Sequence, residues 1–142
     1  MARAHQIPRL GVGYCPEERG IFSSLNVEEN LLLPPTVRSG GMGLDELYEM
    51  FPNPYERRFS QGTRLSGGEQ QMLAMARILR TGANLLLLDE ITEGLAPVIV
   101  QKLGEVLIKL KKRGLTIVLV EQNFRFAAPL ADRHYVMEHG QI

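Results

Sequence analysis

Leu65-Ser66-Gly67-Gly68-Glu69-Gln70-Gln71, continuing through Met72, Met75, Ala76 and Leu79 to the run Leu85-Leu86-Leu87-Leu88-Asp89-Glu90, decides the fold. Met72, Met75, Ala76 and Leu79 stand at i, i+3, i+4 and i+7, the period of a helix buried along one face, so a helix is predicted from Gly68 to Leu79. Leu85 to Leu88 is aliphatic without a break, with Gly82 and Asn84 before it and two acids after it. That pattern predicts a central strand, covered on both faces of a parallel sheet.

Working outward, Val12 to Cys15 reads as a short buried strand that Pro16 ends, and Glu17 to Gly20 as the polar connection leaving it. Asn26 can cap a helix through Val27, Leu31 and Leu32, with Glu28 and Glu29 in the first turn and Pro34-Pro35 beyond its end. Residues 39–43 form a glycine-rich hinge before a second short helix, Leu44 to Phe51, which Pro52 and Pro54 are expected to terminate. Downstream, Pro97 opens a helix with the stripe Ile99, Leu103, Val106, Leu107 and Leu110, closed by Lys111-Lys112-Arg113-Gly114 at the negative end of its dipole. Leu115 to Val120 predicts another buried strand, Phe124 to Ala128 a short helix and His134 to Met137 a final strand. This alternation argues for an α/β fold with a mainly parallel sheet flanked by helices, joined to a small helical subdomain.

Composition narrows the function classes. In 142 residues, 44% are hydrophobic, enough for a core of ordinary domain size. Sixteen basic and sixteen acidic residues cancel, so no overall field draws the chain to nucleic acid or to an anionic membrane. A single cysteine, Cys15, allows no internal disulfide and suits a reducing cytoplasm. The opening MARAHQIPRL has no apolar signal core, and the longest aliphatic runs are too short to cross a bilayer.

The chemistry lies in two motifs. Ser66-Gly67-Gly68-Glu69 joins a hydroxyl and two residues without side chains to a strong helix start, where free amides and the dipole favour phosphate. Taken alone, the simpler account is that Ser66 caps the helix and the glycines make a turn. Asp89 and Glu90, delivered at the carboxyl end of a buried strand where ligands bind in open α/β sheets, change that balance. There Asp89 can hold Mg2+ directly or through water, and Glu90 can orient or deprotonate a water attacking a terminal phosphate. Without the upstream turn, two acids ending a strand in solvent would suffice as an explanation. His5, His134 and His139 flank the folded pattern and read as solvated or structural.

With both motifs in place the sequence resembles the ABC ATPase family, whose signature turn and Walker B strand are separated by a helix of about this length. Gly13-Tyr14-Cys15-Pro16-Glu17 resembles its Q-loop region, Asn26 to Leu31 the helix opening its helical subdomain, and Glu121-Gln122-Asn123 its switch region. Pro16-Glu17, Glu93-Gly94-Leu95-Ala96-Pro97 and Val120-Glu121-Gln122-Asn123 resemble the ATP-binding subunits of branched-chain amino acid importers. The resemblance implies a P-loop NTPase fold divided as 1–22 (Q-loop region), 23–80 (helical subdomain and signature helix) and 81–142 (Walker B and switch part). It implies ATP and Mg2+ as cofactors. Ser66, Gly67, Gly68 and Glu69 would close on nucleotide, Asp89 and Glu17 would meet the metal, and Glu90, Gln122 and Glu17 would act in catalysis. Glu17 stands where most of the family has glutamine, Gln122 where most has histidine, Ala96 where many have the D-loop aspartate, and Ile91 replaces a common proline. A glutamine at 122 keeps a donor for phosphate but cannot titrate near neutral pH.

No Gly-x-x-x-x-Gly-Lys-Ser/Thr occurs among the 142 residues, and residues 39–43 lack the lysine that should follow. In the resembling family that Walker A loop lies upstream of the Q-loop. The chain is therefore expected to be an incomplete ATPase domain, inactive alone, with an uncovered sheet edge through which it self-associates. The resemblance further implies a second ATPase subunit and membrane permease subunits as partners, an external solute-binding protein acting indirectly, no nucleic acid, and a place on the cytoplasmic face of the membrane. A non-transport ABC ATPase and an inert interaction module built on the helical surface remain the alternatives.

Overall fold

The computed structural model describes residues 3–142; Met1 and Ala2, part of the segment read above as lacking a signal core, lie outside the described residues. Strands β1 (Val12–Cys15), β2 (Leu85–Asp89) and β3 (Thr116–Val120) form one parallel sheet in the order β1-β2-β3. The helices are α1 (Val27–Leu32), α2 (Leu44–Met50), α3 (Pro52–Glu56), α4 (Gly67–Arg80), α5 (Pro97–Lys112) and α6 (Phe124–Ala127). The fold is α/β.

Register decides which side chains meet the helices. Gly13 pairs with Leu86 and Leu86 with Ile117, while Cys15 pairs with Leu88 and Leu88 with Leu119, so these positions share one face. Cys15, Leu86 and Leu88 are buried there together with Met72, Leu73, Met75 and Leu79 of α4 and Leu103, Leu107 and Leu110 of α5. Each fully buried leucine contributes about 1.5–3 kcal/mol, so this one-sided core, more than the three-strand ladder, fixes the sheet. Gly13 is required by it, because a Cβ there would stand 2.0 Å from Ile78 Cγ2 of α4. The shorter helices α1, α2 and α3 pack against α4 through Leu31, Leu47 and Phe51.

Local chemistry explains the helix ends. Asn26 and Ser66 each form a capping box, with Glu29 and Glu69 returning a carboxylate to the cap amide. The first-turn acids, and the lysines in the last turn of α5, complement the dipoles.

The second helix ends at Met50, just before Pro52 as expected, and Pro52 then opens α3, where its missing N–H costs nothing and its fixed φ suits the helix. Two expectations need correction. Residues 134–137 form no strand. Val136 is 78% exposed, and the segment is followed by a tight turn in which Glu138 and Gln141 bond each other across His139 (φ 49°) and Gly140 (φ 76°). A strand needs a ladder partner along its length, and this segment has none among the described residues. The central strand is covered on one face only: Leu85 and Leu87 are half-buried, and on the same side Tyr14, Val118 and Val120 are 56%, 47% and 54% exposed. An aliphatic run reports that burial is wanted, not what supplies it.

That open apolar face, next to the edges of β1 and β3 that no other strand of the described residues pairs, bears directly on self-association. Light scattering of the chain is expected to give an apparent mass that rises above the monomer with concentration; a constant monomer mass would show that the face tolerates water.

Candidate functional site

The parallel sheet brings the carboxyl ends of its three strands to one side, and the candidate acids leave from them. β1 ends at Cys15, paired with Leu88, so Glu17 emerges on the edge where Asp89 and Glu90 leave β2 and Glu121 and Gln122 leave β3. Tyr14 points to the open face and its hydroxyl donates to Asp89 Oδ2 at 3.3 Å. Desolvation, and then the Asp89 carboxylate, raise the pKa of that hydroxyl. Glu17 is exposed in the turn after β1, and among the described residues no hydrogen bond joins it to Asp89 or Glu90.

Glu90 occupies the left-handed region at φ 47°, a conformation that costs a non-glycine residue roughly 1–3 kcal/mol. Its N–H donates to Val120 O at 2.9 Å, and its Oε1 accepts from Gln122 Nε2 at 2.8 Å. Two residues on, buried Thr92 donates its N–H to Glu121 Oε1 at 3.1 Å and its hydroxyl to Glu121 Oε2 at 2.9 Å. Burial raises the pKa of Glu121, the Thr92 bonds oppose that shift, and nearby Glu90 adds to it.

The Ser66–Glu69 turn lies on a different element, the start of α4, and makes no described hydrogen bond to Asp89, Glu90 or Gln122. Ser66 does cap the helix: its Oγ accepts from Glu69 N at 3.3 Å and Glu69 Oε2 accepts from Ser66 N at 2.7 Å, an arrangement worth about 1 kcal/mol. The capping and phosphate readings are compatible, because among the described residues no acceptor meets the amides of Gly67 and Gly68. Gly68 is closely packed, since a Cβ would meet Ile99 of α5 at 2.9 Å. Arg19, at φ 61°, links α4 to the loop that follows β2: its Nε donates to Gln71 Oε1 at 3.2 Å and its Nη2 to the backbone carbonyl of Glu93 at 3.4 Å.

Sequence reasoning missed Tyr14, Arg19 and Thr92, and gave Glu121 no role. Each acts on a partner far along the chain, and the only local signal was an acid at the end of a strand preceding Gln122. Cys15 is buried, and desolvation, opposed by a hydrogen bond from Gln71, pushes its thiol up to about 11, which disfavours the thiolate near neutral pH. His134 rests on Ala128 O at 3.2 Å, and His5 and His139 are exposed.

Among the described residues no three His, Cys, Asp or Glu side chains form a metal cluster. The donor set still fits Mg2+ bound beside a nucleotide, because that ion takes one or two carboxylates and fills its shell with water and phosphate oxygens. It does not fit a cation caged by protein alone. The described helices include none long and apolar enough to cross a membrane.

The family described as ABC transporter matches residues 2–93. The chain is 44% identical over 139 residues to the high-affinity branched-chain amino acid transport ATP-binding protein BraG of Pseudomonas aeruginosa, covering 96% of this chain and 60% of the relative. It is 37% identical over 142 residues to the probable branched-chain amino acid transport ATP-binding protein LivF of Archaeoglobus fulgidus, with 97% and 60% covered. The lipopolysaccharide export system ATP-binding protein LptB of Haemophilus influenzae is 33% identical over 144 residues, with 97% and 59% covered. A nucleotide-free ATP-binding cassette from an ABC transporter superposes with a TM-score of 0.77 at 22% identity, covering 99% of this chain and 62% of that one. A dimeric bacterial ABC transporter cassette gives 0.75 at 23% identity, covering 89% and 60%. The chain thus spans about 60% of the length of the relatives it matches.

Proposed function

The chain belongs to the ABC transporter family, and from that premise we propose that it works as part of the ATP-binding, ATP-hydrolysing subunit of an importer for branched-chain amino acids or a related solute and, taken alone, does not hydrolyse ATP. The carrying observation is the 2.8 Å contact between Gln122 and Glu90 at the carboxyl end of a parallel sheet, in a chain this similar to two amino acid transport subunits. Magnesium-bound ATP supplies the phosphoryl group and the charge neutralisation its transfer needs. Asp89 would hold the metal, with Glu17 as the second acid of that edge. Glu90 would orient or deprotonate the attacking water. Gln122 carries two amide hydrogens, so one can stay on Glu90 while the other donates to a phosphate oxygen, at any pH near neutrality.

Ser66, Gly67, Gly68 and Glu69 act on a second cassette, closing over phosphates held by that partner's loop. The division into 1–22, 23–80 and 81–142 follows from these roles: acid edge, closing turn with its helical support, and hydrolytic strand ends. Partners are the second cassette and the membrane permease subunits, with an external solute-binding protein acting through the latter, and the site of action is the cytoplasmic face of the membrane.

Competition uptake tests the proposal. In cells whose gene carries Glu90→Gln, uptake of labelled leucine is expected to fall to background, while in the parent strain isoleucine and valine compete for it. Loss of another solute in place of leucine would reassign the cargo, and intact uptake of all solutes would overturn a transport role.

A further inference from the structure

We infer that Thr92 and Glu121 are positioning residues, whose two-pronged hydrogen bond holds Glu90 and Gln122 in register with one another. The inference rests on the roles proposed above for Glu90 and Gln122.

A non-glycine residue in the left-handed region persists only where its surroundings over-determine it. Around Glu90, at φ 47°, they do so on both sides. The N–H of Glu90 itself is tied to Val120 O at 2.9 Å, and the N–H of Thr92 is tied to Glu121 Oε1 at 3.1 Å. Ile91, between them, is fully buried and cannot swing outward. Three consecutive residues leaving β3 therefore grip the turn leaving β2: Val120 by its carbonyl, Glu121 by its carboxylate and Gln122 by its side-chain amide on Glu90 Oε1.

Glu121 is the member whose chemistry is otherwise unexplained. A half-buried carboxylate is costly unless its lone pairs are filled, and both oxygens here are spent on one buried residue. A simple strand-end staple would need only the backbone bond. The second prong, from the Thr92 hydroxyl at 2.9 Å, fixes the carboxylate's rotation and with it the backbone from which Gln122 departs.

The test needs no nucleotide, so it reads the clamp even if the uptake experiment fails. In the 142-residue chain, exchange of the assigned Gln122 side-chain amide protons with water is measured by NMR, alongside the core methyl spectrum. Thr92→Val keeps the shape and the N–H but removes the hydroxyl donor, and Gln122 is expected to exchange about tenfold faster, the effect of losing one charge-assisted bond. Thr92→Ser, which keeps the hydroxyl, is expected to exchange at the parent rate. Glu121→Met, which removes both acceptors at similar length, should accelerate exchange at least as much as Thr92→Val does. Unchanged Gln122 exchange in Thr92→Val with native core methyls would overturn the inference, as would equal acceleration in Thr92→Ser, since both outcomes leave the hydroxyl with a packing role only.

Discussion

MgATP titrated into the 142-residue chain is expected to give no saturable heat below about 1 mM, an affinity weaker than roughly 4 kcal/mol. The acids that would act on the nucleotide are in place, but nothing in the chain holds its phosphates. The Walker A sequence is absent, and among the described residues no other turn joins free helix-start amides to a lysine. The glycine-rich turn at 39–43 borders a shallow cavity of about 350 Å3 lined by Leu32, Arg38, Met42 and Arg80, and Arg80 is already committed to Pro34 O at 3.1 Å. The helix that follows, α2, carries Asp45 and Glu46 in its first turn, which repel the anion that a helix start would otherwise attract. The start of α4 has free amides, but Glu69 places a carboxylate on the same turn, so it can contribute to phosphates held elsewhere without retaining them. Asp89, with Tyr14 on one oxygen, offers Mg2+ a single ligand. Isothermal calorimetry decides the matter: micromolar affinity would mean that a phosphate cradle exists in this chain outside the known motif.

The elements legible in the sequence were those with local causes. The α4 stripe, the Ser66 and Asn26 caps and the strand before Asp89 depend on residues within a few positions of one another, so periodicity and cap chemistry were enough. What was not legible depends on who lies opposite whom. Leu85 to Leu88 reads as doubly covered because an aliphatic run is the same whether helices cover one face or two. Residues 134–137 are apolar enough for a strand, but strand formation is a property of a pair, and no edge receives them. In the candidate site, Asp89, Glu90 and Gln122 could be named from strand ends and resemblance. Tyr14 beside Asp89, and Thr92 with Glu121, follow from sheet register and from turns 29 residues apart in sequence.

Asn30→Ala is expected to cost about 3 kcal/mol of stability, roughly 10 °C in Tm, although Asn30 touches no candidate catalytic group. Asn30 is fully buried in α1, and its side chain bonds the loop that carries the chain from the acid edge to the helices. Its Oδ1 accepts from Phe22 N at 2.9 Å, and its Nδ2 donates to Asn26 O, Phe22 O and Leu25 O at 2.9, 3.1 and 3.2 Å. The three carbonyls keep other donors after truncation: Asn30 N for Asn26, Leu25 N for Phe22 and Gly62 N for Leu25. Phe22 N–H keeps no other acceptor, and a partly buried donor left without a partner, with a small cavity where the fully buried Asn30 side chain stood, accounts for the expected loss. Asn30→Asp separates the polar terms from the cavity. It keeps the acceptor for Phe22 but places a carboxylate among three carbonyl oxygens, so the folded state holds the acid's pKa above its unfolded value of about 3.9. The folded chain then binds the proton more tightly, and stability must rise as pH falls through the folded pKa toward the unfolded one, the reverse of an ion-paired aspartate. Urea denaturation at protein concentrations below the onset of association measures both variants. A loss under about 1 kcal/mol for Asn30→Ala would mean that water reaches Phe22 N–H, and a pH-independent Asn30→Asp would mean that the site is not dry.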